Sequence, residues 1–470
     1  MTAAASVALD ERILARAHDE LVATLCELIR IPSVNPPDPA GPELRVAEYL
    51  ASALADAGVE HDVVEPFPGR GSITARLRGD GSGGEPLLLM SHLDVVPAAP
   101  DGWARDPFGA DVADGYVWGR GAVDMKGTIA MDLAVIRLLA AEARAAGRDP
   151  RSDPVPGLTR DVLFAATADE EAGGHQGMGW LVDHHPERLR AAGALNECGG
   201  ISVTVGGRRL YPIQVAEKGY AVYRITVHGA WGHASMPRPD NALLRAAEAV
   251  TRLAEPGVRR LTPVMERFLG AAADALPRRP AAVLRGIIDA APDDAIDAVC
   301  EPTYARALRA LLRDTISPTI MRAGVKYNVI PGVAELHVDC RVLPGTSEAD
   351  VRSDIVARLG PALAEVCNVE LLIFGAPAES PAEGPLYDLL ALTVRDHDAD
   401  GVPLPVMAPF ATDAKHTARL GIPTYGFSPL RLAADEPFLE RFHGVDERVG
   451  LDALRWGLPV LYDVVRRFCG

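Results

Sequence analysis

Apolar runs of strand length alternate with helical patterns over the first 200 residues of this chain. Strand-like runs lie at 72–77, 86–96 and 161–167, and helical patterns lie at 128–145 and 178–189. Strands that alternate with helices predict βαβ units, in which a mainly parallel sheet is covered by helices on both faces. We therefore predict an α/β fold in three layers for this part of the chain.

The pattern changes in the middle of the chain. There a helical segment at 265–314 precedes two strands at 324–341, without βα alternation. This order indicates a separate α+β domain, and 470 residues exceed what one compact core usually holds. We predict an inserted domain over 217–341, flanked by the two halves of the first domain at 1–216 and 342–470.

Charge and cysteine content limit the expected partners and compartment. The chain carries 47 Lys and Arg against 64 Asp and Glu, a net charge of −17, which disfavours nucleic acid and anionic membranes. The six cysteines are scattered and form no CxxC pair, which is typical of reduced thiols in a cytosolic protein. The first ten residues lack the features of a signal peptide, and no apolar stretch reaches transmembrane length. We expect a cytoplasmic protein.

Polar side chains lie at the ends of two of the predicted strands. His92 and Asp94 end the apolar run at 86–96, and alternate residues of a strand share one face, so we expect both to point the same way. Glu170 and Glu171 follow the run at 161–167. In parallel sheets, functional groups gather at the carboxyl ends of the strands.

Further candidates lie in loops. Asp124 ends a glycine-punctuated loop ahead of a helix, where capping is the usual role of a carboxylate. Each candidate taken singly is more often structural or solvated. Together, imidazoles and carboxylates are the ligands that a pair of divalent metal ions requires. The candidate ligands are His92, Asp124, Glu171, Glu197 and His443.

Five motifs lie in order along the chain: SHLDVVP at 91–97, GRGAVDMKG at 119–127, DEE at 169–171, NE at 196–197 and FHGVDER at 442–448. Together they resemble those of the dinuclear zinc exopeptidases and deacylases. The family includes aminoacylase, glutamate carboxypeptidase, acetylornithine deacetylase and succinyl-diaminopimelate desuccinylase. The resemblance spans nearly the whole chain and implies a catalytic domain with an inserted dimerisation, or lid, domain.

The resemblance implies two zinc ions and a role for each ligand. His92, Asp124 and Glu197 would hold one ion. Asp124 would also bridge to the second ion, which Glu171 and His443 would complete. Because carboxylates and imidazoles suit several metals, cobalt or manganese could replace zinc.

Residues beside the metals also receive roles from the resemblance. Asp94 would be hydrogen-bonded to His92 and fix its tautomer. Glu170 would be the general base that takes a proton from water and delivers it to the leaving amine. His233, in the sequence Gly-His-Ala-Ser-Met-Pro, would stabilise the negative intermediate in the other subunit of a homodimer formed through the inserted domain. His228 is a rival for that role.

Two residues of the inserted segment resemble positions that bind the free carboxylate of the substrate. They are Asn328 and Arg341, and an arginine fork suits a carboxylate. An ordinary ion pair is the alternative for Arg341.

We therefore expect a metal-dependent hydrolase that cleaves the amide or peptide bond of small N-acyl amino acids or peptides with a free carboxylate. Glu197 in place of Asp resembles the deacylase and carboxypeptidase members. The motif around His443 instead resembles the Gly-X carboxypeptidase and N-fatty-acyl amino acid branch, where Asp often takes the place of Glu. Two alternatives stay open: a dipeptidase or aminopeptidase on the same scaffold, and an inert, metal-stabilised binding protein.

Overall fold

The computed structural model describes residues 10–35, 42–98, 101–298, 300 and 302–470. The amino-terminal segment considered above for a signal peptide lies almost wholly outside them. The chain forms two compact units. One contains the residues up to Val215 together with 380–406 and 412–470, and the other contains 216–379 and 407–411.

The α-helices of the described residues are, in chain order, α1 (Glu11–Ile29), α2 (Glu43–Asp56), α3 (Lys126–Ala145), α4 (Met178–His184), α5 (Ala242–Leu253), α6 (Pro263–Ala275), α7 (Arg278–Ile288), α8 (Pro302–Leu311), α9 (Glu348–Ala364), α10 (Pro385–His397), α11 (Ala414–Thr417) and α12 (Leu451–Cys469). The strands are β1 (Glu60–Val64), β2 (Ser72–Leu77), β3 (Leu87–His92), β4 (Asp111–Ala113), β5 (Tyr116–Trp118), β6 (Val162–Thr167), β7 (Gly193–Asn196), β8 (Val203–Val205), β9 (Arg208–Glu217), β10 (Gly219–His228), β11 (Gly232–His233), β12 (Thr315–Ala323), β13 (Val329–Ile330), β14 (Val333–Val342), β15 (Cys367–Gly375), β16 (Ala378–Glu379), β17 (Gly401–Ala408), β18 (Thr424–Gly426) and β19 (Arg448–Gly450).

The main sheet of the first unit has the strand order β1-β2-β6-β3-β7-β18-β9. The central pairs β3–β6, β3–β7 and β7–β18 are parallel, whereas β1–β2 and β2–β6 are antiparallel. This confirms the predicted α/β class with a mainly parallel sheet.

Strand β3 is buried on both faces. On one face Leu88 and Met90 pack in a cluster with Leu181 of α4. On the other face Ser91 donates a hydrogen bond to Asp132 of α3, at 2.8 Å between the oxygens. This double coverage explains the uninterrupted apolar run in the sequence.

The second unit is built on an antiparallel sheet of order β12-β14-β10-β15. Alternate residues of β10, among them Tyr223 and Ile225, are fully buried in a core shared with α5 and α9. The sequence predicted the strands in 324–341 but not β12. That strand contains Pro318 and is mostly exposed after Ile316, so it lacks the alternating pattern of a half-buried strand.

The second unit extends further along the chain than the predicted inserted domain. The sequence predicts that this domain ends at 341 and that the helix beginning at Glu348 belongs to the first domain. In the structure, α9 packs against the antiparallel sheet and β15 pairs with β10 as an edge strand. The unit therefore continues to Glu379.

Within the described residues, no helix combines the length and apolar character needed to cross a membrane.

Candidate metal centre

The order of the parallel strands brings three chain segments together at one edge of the sheet. His92 is the last residue of β3, and Glu197 follows β7 directly. Glu170 and Glu171 begin a short 3-10 turn after β6. Because β6 and β7 flank β3, the carboxyl ends of all three strands meet.

The loop before α3 supplies Asp124. Gly121 in this loop has φ +86°, a conformation that residues with a Cβ rarely adopt. A Cβ built there would lie 2.8 Å from Val95 Cγ1, so both conformation and space require glycine. The glycine-punctuated pattern thus fixes the path by which Asp124 enters the site.

Two ligand groups share Asp124. In the first, Nε2 of His92 lies 2.9 Å from Asp124 Oδ1 and 3.6 Å from Glu197 Oε2. In the second, Nε2 of His443 lies 3.2 Å from Asp124 Oδ2 and 3.3 Å from Glu171 Oε2. The structure therefore brings together all five predicted ligands, and the two oxygens of Asp124 face different groups.

The donor set fits divalent cations. Burial and the negative charge of Asp124 raise the pKa of Glu171 to about 7. Hydrogen bonds to Asp124 and Glu171 raise the pKa of His443 to about 10. Oε1 of Glu171 is buried and accepts no hydrogen bond from the described residues. Converging carboxylates with unused lone pairs are costly unless positive charge compensates them, which a bound cation provides.

His92 is held in the tautomer that a metal ligand needs. Its Nδ1–H donates to the main-chain oxygen of Asp94 at 2.9 Å, and the nearer carboxylate oxygen of Asp94 is 3.5 Å away. The lone pair of Nε2 therefore points toward the ligand group. Strand β3 ends at His92, so Asp94 lies beyond the strand. The expectation that His92 and Asp94 share one strand face therefore does not explain the position of Asp94. The main chain of Asp94 makes the shorter contact.

The Asp94 carboxylate has other partners. It accepts hydrogen bonds from the main-chain N–H groups of Glu170 at 3.2 Å and Glu171 at 3.0 Å, and from Asn35 Nδ2 at 2.7 Å. Burial alone would raise the pKa of Asp94, but hydrogen bonds and the charge of His92 hold it below its ordinary value. Asp94 thus fixes the turn that presents both glutamates. Asn35 was missed because no local pattern links it to residue 94.

Glu170 belongs to neither ligand group. Burial and the negative charge of Glu197 raise the pKa of Glu170 well above its ordinary value. A cation held by Glu197 would oppose this repulsion. An unspent carboxylate in such surroundings is suited to proton transfer.

A further loop, which carries Thr412 and Asp413, lies beside the strand ends. Thr412 Oγ1 accepts a hydrogen bond from Asn196 Nδ2 at 3.0 Å, and Asp413 Oδ2 accepts one from Thr167 Oγ1 at 3.0 Å. His416 donates to Gly173 O at 2.9 Å, and burial lowers its pKa to about 3. These contacts brace the segments that carry Glu170 and Glu197.

The remaining predicted site residues belong to the second unit. His233 is exposed, and its Nδ1 lies 2.7 Å from Ser235 Oγ. Its neighbour Ala234 donates a main-chain hydrogen bond to Asn328 O at 3.1 Å, so the His233 and Asn328 loops touch. The rival His228 is exposed at the end of β10.

Arg341 lies on β14 and binds Asp339 on the same strand. The guanidinium donates from Nε and Nη2 to the two carboxylate oxygens, at 2.8 and 3.1 Å. It also lies over the ring of Tyr220, 5.8 Å from the centroid. This is the ion pair named above as the alternative to substrate binding, and the substrate role stays a prediction.

Comparison with known families decides the class of this protein. Residues 88–467 match the sequence model described as peptidase family M20/M25/M40. The chain belongs to this family. It is a metal-dependent hydrolase, as the motifs implied. The family resemblance and the enzyme class predicted from the sequence are both confirmed.

Individual relatives agree with this assignment. The N-fatty-acyl-amino acid synthase/hydrolase PM20D1 of Xenopus tropicalis is 26% identical over 458 residues, covering 93% of this chain and 83% of that protein. The succinyl-diaminopimelate desuccinylase of Methylobacterium radiotolerans is 34% identical over 238 residues, covering 49% of this chain and 55% of that protein. The M20 family metallo-carboxypeptidase Sso-CP2 of Sulfolobus solfataricus has the same fold, with a TM-score of 0.70, 16% identity and coverage of 96% and 99%.

Proposed function

We propose that this chain is a dinuclear zinc hydrolase that cleaves the amide bond of a small N-acyl amino acid or peptide with a free carboxylate. The observation that carries the proposal is the position of Asp124, whose Oδ1 faces His92 and whose Oδ2 faces His443. One carboxylate shared by two ligand groups is suited to a pair of ions.

The roles of the chain's own residues follow from this arrangement. His92, Asp124 and Glu197 would hold one ion, and Asp124, Glu171 and His443 the other. A bound pair of divalent ions supplies Lewis-acid polarisation of a carbonyl and lowers the pKa of water.

Glu170 is the proposed general base. Its carboxylate takes the proton of the attacking water and later delivers it to the leaving nitrogen, which makes the amine a competent leaving group. Its half-buried position beside Glu197 supports this role, because a carboxylate with a raised pKa can hold the proton between the two steps.

Recognition of a free carboxylate is assigned to Asn328 and Arg341. A substrate carboxylate would replace Asp339 as the partner of Arg341, whose planar fork suits either carboxylate. Oδ1 of Asn328 accepts no hydrogen bond from the described residues. The names of the Xenopus and Methylobacterium relatives, both acting on N-acylated amino acids, favour a deacylase over a dipeptidase.

His233 is proposed as the donor that stabilises the negative intermediate, acting in the partner subunit of a homodimer. Support comes from the family resemblance of its loop and from its exposure. We also propose zinc as the working metal and the cytoplasm as the compartment. All six cysteines are free, which suits a reducing environment.

A panel of matched amides tests this function. We expect cleavage of N-acyl amino acids whose amine is blocked, loss of cleavage when the carboxylate is esterified, and loss of all cleavage with a chelator. A requirement for a free substrate amine would instead support the dipeptidase or aminopeptidase reading. Metal binding without cleavage of any amide would support the inert binding protein.

A further inference from the structure

The Asp124 loop and the His443 loop meet at a buried ion pair that the sequence motifs contain but that received no role. Arg120 Nη1 donates to Glu447 Oε2 at 2.7 Å, and the two side chains are 2% and 0% exposed. The partners are 327 residues apart in sequence. The pair therefore links the loop before α3 to the loop before β19.

Glu447 binds the backbone that leads to Asp124. Its Oε1 accepts hydrogen bonds from the main-chain N–H groups of Val123 at 2.8 Å and Asp124 at 3.1 Å. Its Oε2 accepts one from Gly121 N at 3.0 Å, besides that of Arg120. The Glu447 carboxylate thus accepts hydrogen bonds from four donors of this loop, one of which is the main-chain N–H of Asp124.

Arg120 binds the backbone around His443. Its Nη2 donates to Gly444 O at 3.0 Å and lies 3.4 Å from His443 O. His443 has φ +57°, in the left-handed region that non-glycine residues seldom occupy. The guanidinium also lies over the ring of Trp103, 5.2 Å from the centroid, which limits its own movement. Arg120 thus restrains the peptide groups that aim the His443 ring.

We propose that Arg120 and Glu447 are positioning residues that fix Asp124 relative to His443. The inference rests on the proposed metal centre. It adds that the two ions depend unequally on the Arg120–Glu447 pair. The two segments joined by the pair supply two of the three ligands in the group of Asp124, Glu171 and His443, but only one ligand in the group of His92, Asp124 and Glu197. The second ion therefore depends on the pair more than the first does.

Stepwise metal titration of the apoprotein tests this asymmetry. Zn²⁺ is added to the wild type and to Glu447→Gln, and two dissociation constants are obtained by calorimetry together with the zinc content. We expect only one of the two constants, that of the ion held by Asp124, Glu171 and His443, to rise about 10–100-fold, and the other to change by less than about threefold. Arg120→Lys is the second variant, because lysine keeps the charge but cannot fork between Glu447 and Gly444. It should move the same constant in the same direction.

A matched control separates positioning from stability. Asp398 is also a buried carboxylate and accepts hydrogen bonds from Arg209 and Tyr211. Asp398→Asn should lower the melting temperature while leaving both zinc constants within about threefold of wild type. Equal weakening of both ions in the Glu447 and Arg120 variants, or no weakening in variants that fold, would overturn the inference. A wild-type chain that binds two ions but cleaves no amide would remove the proposed function and leave this inference in place.

Discussion

The carboxylate of Asp94 accepts a hydrogen bond from the main-chain N–H of Glu171, with 3.0 Å between Oδ2 and the nitrogen. The same carboxylate holds the N–H of Glu170 at 3.2 Å, while the main-chain oxygen of Asp94 fixes the His92 ring. One residue thus sets the orientation of a proposed ligand from β3 and of the turn after β6. A residue that accepts from several donors at once is hard to replace, and this leads to the first prediction.

Asp94→Asn should weaken metal binding and turnover together. The amide has one accepting oxygen, and its NH2 group would face the N–H groups that the carboxylate now accepts. We expect a loss of about 10–100-fold in zinc affinity, measured with apoprotein, and a matching fall in kcat/KM. Asn35→Ala removes only one donor to Asp94 and should have the smaller effect. Wild-type zinc affinity in Asp94→Asn would show that these hydrogen bonds do not organise the site.

Substitutions of the adjacent residues Glu170 and Glu171 should have separate effects on proton transfer and on metal binding. Glu170→Gln should keep two zinc ions per chain while kcat falls by about 100–10,000-fold, since only the proton-transfer group is lost. Glu171→Gln should instead lower the zinc content, because that side chain belongs to a ligand group. Zinc analysis by atomic emission beside amide turnover distinguishes the two. Unchanged turnover in Glu170→Gln would remove its assignment as base.

The proton bound by Asp132 should make the free energy of unfolding fall as pH rises. Its carboxyl is buried on α3, and burial raises its pKa to about 8, although the hydrogen bond from Ser91 opposes the shift. Between pH 4 and 8 the folded state keeps a proton that the unfolded state has lost. The unfolded state binds fewer protons, so stability decreases with pH by up to about 1.4 kcal/mol per pH unit from this group.

Asp132→Asn tests this sign. We expect denaturant unfolding to show little difference between the variant and the wild type at pH 5, and a more stable variant at pH 8. The comparison is made within each pH, so that the other titrating groups cancel. A variant whose relative stability does not rise with pH would show that Asp132 is ionised in the folded chain.

His233 should act across subunits. In a homodimer, coexpressed His233→Ala and Glu170→Ala chains would form mixed dimers in which one site keeps both residues. Although each variant alone should be nearly inactive, the mixture should recover about a quarter of wild-type activity if the dimer is symmetric and assembly is random. His228→Ala serves as the matched control and should retain activity. No recovery in the mixture would place His233 in the site of its own chain.

Local patterns predicted much of this molecule. The apolar run that ends at His92 predicted a buried strand with a functional end, and the glycines before Asp124 predicted its loop. Motif order then linked His443 to the same site. Contacts between distant segments were not predictable in this way. Asn35 binds Asp94 across 59 residues, and no residue spacing announces such a pair.

The limit of the inserted domain was missed for a related reason. The helix after Glu348 and strand β15 look like one more βα repeat, and only the partner strand decides their membership. That partner is β10, which lies more than a hundred residues earlier in the chain. The pairing of an edge strand depends on tertiary contacts rather than on its own sequence.

The number of zinc ions bound per chain, measured alongside amide hydrolysis as apoprotein is titrated, tests the central claim most directly. The arrangement around Asp124 predicts two ions per chain, with hydrolysis reaching its maximum only as the second ion binds. Asp124→Ala should bind both ions more weakly, because it removes a ligand from each group. Full hydrolysis with one ion or none, or two tightly bound ions in Asp124→Ala, would contradict the account.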